Sequence, residues 1–96
     1  MRTAARTDRN QAEIVAQLRK MGCMVQPLHM VGKGCPDILV GYKGRNFLFE
    51  IKDPKQPPSK RRLTEDERQW HLLWLEFGGQ VDVIHTAQEA IKKMRF

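Results

Sequence analysis

A mixed α/β domain, α+β in class and ordered helix, three strands, helix, strand, helix, is what the patterning of this chain points to. Three observations carry that expectation. Apolar residues recur at helical spacing in residues 9–21 and again in 64–77. Residues 37–52 read as two strands closed by Lys43-Gly44, and capping signatures at Thr64 and Thr86 open helices later in the chain. The length of 96 residues accommodates one domain, residues 1–96, with a modest core.

The first helix is expected over residues 9–21, with Thr7 or Asp8 as N-cap and Gly22 as its stop. Ile14, Val15, Leu18 and Met21 form its buried stripe, and Glu13 lies at the border of that stripe with solvent. Residues 23–30 read as a first strand, at an edge or bulged because Pro27 interrupts it. His29 is read as an ordinary strand residue. Residues 31–35 form a glycine-bearing loop in which Lys33 can reach a phosphate, and Pro36 fixes the chain as it enters the next strand.

Strands 37–42 and 45–52 carry the chemistry. A two-residue turn needs positive φ, which Gly44 supplies, and Tyr42 opposite Arg45 then brings Asp37 opposite Glu50. Alternation places Lys52 on the face of Glu50 while Phe49 and Ile51 point to the core. A three-residue loop would turn Asp37 away, so the acid pair depends on this turn. Two adjacent carboxylates call for a cation, and hard oxygen donors favour Mg²⁺, with Mn²⁺ as its substitute. Asp37, Glu50 and the backbone carbonyl of Ile51 are the expected ligands.

After Lys52 the composition changes. Three prolines in residues 53–62 forbid a strand or helix interior, and between residues 43 and 62 seven basic side chains face two acidic ones. The chain as a whole has 17 Lys+Arg against 11 Asp+Glu and a pI of about 9.8. That balance favours a polyanionic partner, nucleic acid or an acidic membrane surface. Because the basic run adjoins an acid pair that would otherwise repel phosphate, Lys33, Lys55, Lys60, Arg61 and Arg62 are read as contacts to a DNA backbone. The helix from Thr64 has Trp70, Leu73, Trp74 and Phe77 on one apolar face, taken as core or interface, and it stops at Gly78-Gly79. His71 shows no partner. Val81, Val83 and Ile84 read as the fourth strand, and Ala87, Ala90, Ile91 and Met94 as the inner face of the last helix. Cys23 and Cys35 do not make a disulfide framework or zinc-type spacing and read as reduced thiols. No apolar run is long enough to span a bilayer and residues 1–10 lack a signal-peptide centre, so a cytoplasmic protein without a membrane partner is expected.

Pro36-Asp37 followed by Glu50-Ile51-Lys52 resembles the motif of the PD-(D/E)XK nuclease superfamily. Within it, Lys33-Gly34-Cys35-Pro36-Asp37, the short hairpin, Glu13 on the first helix and Leu63-Thr64 followed by Gln69 are most similar to the VRR-NUC (virus-type replication-repair nuclease) family. The resemblance implies a restriction-endonuclease-like core and a Mg²⁺-dependent endodeoxyribonuclease leaving a 5′-phosphate and a 3′-hydroxyl. It places Asp37, Glu50 and Lys52 at the centre of catalysis, with Glu13 joining the metal site and Gln69 supporting it. It also implies branched DNA such as Holliday junctions as substrate and a homodimer, for which Trp70, Trp74 and Phe96 offer apolar surface. Ordinary duplex nicking with or without sequence preference, a noncatalytic DNA-binding module, and a cross-strand salt-bridge cluster without chemistry stay open at this stage, as does a phage or host origin.

Overall fold

The structure is a computed structural model and describes residues 9–95. The chain runs α1 (Gln11–Lys20), β1 (Met24–Pro27), β2 (Ile38–Tyr42), β3 (Arg45–Ile51), α2 (Pro58–Arg61), α3 (Glu65–Glu76), β4 (Asp82–Ile84) and α4 (Ala87–Met94). The four strands form one sheet in the order β1-β2-β3-β4, antiparallel except for the parallel pair β3–β4. This is the expected mixed sheet with one addition. Pro58–Arg61 makes a single helical turn inside the proline-rich segment, because Pro58 takes the first helical position, where a missing N–H costs nothing.

One face of the sheet holds the core. Val25, Ile38, Val40, Phe49, Ile51 and Ile84 meet Ile14, Val15 and Leu18 of α1 and Ala87, Ala90 and Met94 of α4. Each large side chain buried there contributes roughly 1.5–3 kcal/mol. The expected inner faces of α1 and α4 are those observed, while α1 begins two residues later than predicted. Thr7 and Asp8 lie outside the described residues, and Asn10 occupies the N-cap position without capping. Its amide instead donates to the Lys52 carbonyl at 3.2 Å and the His85 carbonyl at 2.9 Å, tying α1 to the ends of β3 and β4.

β1 is an edge strand, which is where Pro27 belongs, and it is shorter than predicted. Leu28 N–H still bonds to the Asp37 carbonyl, but the chain then turns, and Met30 and Val31 are exposed. The larger correction concerns α3. It crosses the sheet on the face opposite α1 and α4, and His71 is the residue it buries. Leu72, Leu73, Leu75 and Phe77 are exposed, and Trp74 is 39% exposed, so the apolar face predicted from spacing is not part of the core.

Candidate active site

The hairpin sets the acids. Tyr42 pairs with Arg45 and Ile38 with Phe49, with Lys43 (φ 49) and Gly44 (φ 80) both left-handed at the turn. Two consecutive positive-φ residues define the turn whose twist matches the strands. The ladder ends at Ile38–Phe49; Asp37, in the bend just before β2, donates its N–H to the Phe49 carbonyl at 3.1 Å, and its carboxyl hydrogen-bonds with that of Glu50. The acid side chain folds back across the pair, its Oδ2 accepting the Ile51 N–H at 2.7 Å. A charge-assisted bond of that length fixes the first carboxylate to the strand that carries the second.

Glu50 is 1% exposed. Burial, its hydrogen bond with Asp37, and the charges of Asp37 and Glu67 push its carboxyl up to about 10, against the pull of Lys52. Lys52, also buried, donates from Nζ to Glu67 Oε1 at 2.8 Å. That same oxygen accepts the Thr64 N–H at 2.8 Å, while Thr64 Oγ1 accepts the Glu67 N–H at 3.2 Å. The capping box that starts α3 therefore doubles as the seat of the lysine. Burial pushes Glu67 up, but the Lys52 ammonium and the Thr64 N–H outweigh it and the net shift is downward.

His71 completes the cluster. Its Nε2 lies 3.2 Å from Glu50 Oε1, with both side chains buried. Burial lowers the imidazole's affinity for a second proton, with Lys52 acting in the same direction and Glu67 and Asp37 opposing it. Neither Glu67 nor His71 was singled out for the site from sequence. The available signal was their i, i+4 spacing, which puts them on one line of α3 together with Trp70 and Trp74. Gly34 makes the docking of α3 possible. At φ 86 it lies so close to the backbone of Asp66 and Glu67 that a Cβ there would collide with the Asp66 carbonyl.

Other predicted residues fall further out. Glu13 is exposed and lines a cleft of about 620 Å³ with Asn10, Asp53, Lys55, Gln56 and His85, a cleft to which Asp37 and Glu50 do not contribute. Gln69 points outward and donates to Glu65 Oε2 at 2.9 Å. Its place toward the acids is taken by Glu67 and His71, because two residues along a helix turn a side chain to the far side. Lys33 is exposed in a shallow cleft with Asp66, Gln69 and Trp70. Lys55, Lys60 and Arg62 are exposed and Arg61 is half-buried. Among the described residues no group of three or more His, Cys, Asp or Glu stands in metal-binding geometry. Both cysteines are free, and burial raises both thiols, that of Cys35 with help from the charges of Glu50 and Asp37.

No family model and no curated protein matches this chain. A solved structure described as a VRR_NUC domain does, with a TM-score of 0.64 and 22% identity, over 92% of this chain and 95% of that one. The class defined by sheet, crossover helix and acid-bearing hairpin is thus an α+β domain with the fold of a VRR_NUC domain. That likeness is one of fold, and the fold is the one the sequence reading expected.

Proposed function

We propose that this chain is a VRR-NUC-type, divalent-metal-dependent DNA endonuclease acting on branched DNA such as Holliday junctions. The observation that carries the reading is the hydrogen-bonded acid pair Asp37–Glu50, with Lys52 two residues beyond Glu50 and ion-paired with Glu67. The donor set fits a cation. A carboxyl driven up to about 10 by burial first and by its acidic neighbours second is a group whose charge awaits a positive partner, and carboxylate and carbonyl oxygens suit Mg²⁺ or Mn²⁺. Asp37, Glu50 and the Ile51 carbonyl would hold the ion, which when bound supplies Lewis-acid polarisation of the phosphodiester and lowers the pKa of water.

The chain's own groups do the rest. Lys52, held as an ion pair with Glu67, presents positive charge on the acid face, where it stabilises charge developing at phosphorus. Lys33, Lys55, Lys60, Arg61 and Arg62 contact backbone phosphates and position the duplex without reading its sequence. Exposure of the outer face of α3 favours a second copy of the chain as its cover, and two active sites are what paired cuts across a four-way junction require. Cleavage assays on junction, flap, linear and plasmid DNA, with Mg²⁺ and with chelator, test the reading. Junction cleavage lost in chelator and in Asp37→Asn is expected. Retardation of DNA without any cutting would instead make the chain a binding module.

A further inference from the structure

We infer that His71 is a positioning residue for the cation site, acting through Glu50; the inference rests on the metal-dependent reading above. A helix laid over a sheet ordinarily buries apolar side chains against it. α3 does the reverse, burying an imidazole while Leu72, Leu73, Leu75 and Phe77 face outward. Burying a polar ring costs free energy unless it is hydrogen-bonded, and the bond this ring makes is to Glu50 Oε1 at 3.2 Å. A charged carboxylate has no proton to give, so in that state the bond runs from Nε2–H to Oε1.

The consequence is geometric. Asp37 is held through Oδ2 by the Ile51 N–H, and Glu50 is held through Oε1 by His71. Each acid is thus anchored by one oxygen from outside the pair, and the two carboxyls also hydrogen-bond with each other, so their relative orientation is set before any ion arrives. Hydrogen bonds to ligating carboxylates act on metal affinity in this way. The anchor of Glu50 comes from α3, whose own seat is made by Gly34 and by the Glu67–Lys52 pair. Ion affinity therefore depends on α3 being docked.

Calorimetric titration of the full chain with Mn²⁺ and with Mg²⁺, without DNA, tests this independently of turnover. A glutamine amide reaches about as far as Nε2, whereas an asparagine amide reaches only as far as Nδ1. His71→Gln is expected to bind the ion within about threefold of the parent protein, and His71→Asn and His71→Phe about 10- to 100-fold more weakly. If His71→Phe fails to fold, the Gln and Asn variants still decide. Parental affinity in His71→Asn, or equal weakening in Gln and Asn, overturns the positioning role while leaving the nuclease reading in place. A parent protein that takes up neither ion overturns both.

Discussion

Lys52 and Glu50 share a sheet face yet answer to different neighbours, and their variants should separate accordingly. Lys52→Met keeps most of the stem and removes the ammonium, leaving Glu67 Oε1 with its Thr64 N–H. If the lysine stabilises charge in the transition state, single-turnover cleavage at saturating Mg²⁺ should fall by about 10²-fold or more while DNA binding persists. A near-parental rate would reduce Lys52 to a structural partner of Glu67. Glu50 should be visible in stability. Its folded carboxyl titrates at about 10 against an ordinary 4.5, so between those values the native state holds a proton that the unfolded chain has released. Stability from this group is complete below 4.5 and is lost as pH rises toward 10, whereas Glu67, shifted down, contributes in the opposite sense. Glu50→Gln removes the first effect. Its melting temperature, measured without divalent ions from pH 5 to 9, should fall less steeply than that of the parent protein, and parallel curves would contradict the assignment.

At the scale of elements, the position of α3 rests on a close approach at Gly34. Gly34→Ala introduces a Cβ against the Asp66 carbonyl and asks alanine to hold φ 86, a conformation costing roughly 1–2 kcal/mol on its own. Thermal unfolding should drop by at least about 4 °C. Cleavage should drop further than the stability loss explains, because Glu67 and His71 move with the first turns of the helix. Unchanged activity in folded Gly34→Ala would show that α3 does not hold the site. The same helix explains what was legible in the sequence. Asp37, Glu50 and Lys52 could be placed because one local turn, Lys43-Gly44, fixes the register of everything that follows it. Glu67 and His71 reach the acids across a connection, and no local rule states which face of a crossing helix meets the sheet. Periodicity found the apolar stripe of α3 but left it as either core or interface, since helices usually bury such stripes and spacing alone does not say against what. Here the sheet face already carried charges, and the polar line through Glu67 and His71 answers them. Asn10 was missed for a similar reason, because its bonds to Lys52 and His85 join segments far apart in sequence.

For the molecule as a whole, the two faces of the sheet are unequally finished. α1 and α4 seal one, while over the other Trp70 and Trp74 stack at 5.0 Å beside a cleft of about 590 Å³ to which Leu39 and Leu48 contribute. Beyond them Leu73 is 57% and Phe77 is 82% exposed, one helical turn apart on the same line. Contiguous apolar surface of this kind marks an interface more often than a free surface. Replacing both residues by lysine leaves the core and the acid pair untouched, and positive charge suits the C-terminal end of α3. Leu73→Lys/Phe77→Lys is therefore expected to fold with parental stability and to sediment as a monomer where the parent chain sediments as a dimer. Each monomer would retain one acid pair, so the paired cuts across a junction should give way to single nicks at comparable rates per site. A parent protein that is itself monomeric at micromolar concentration, or a variant that stays dimeric, would remove α3 from the interface and leave its exposed leucines to a different partner.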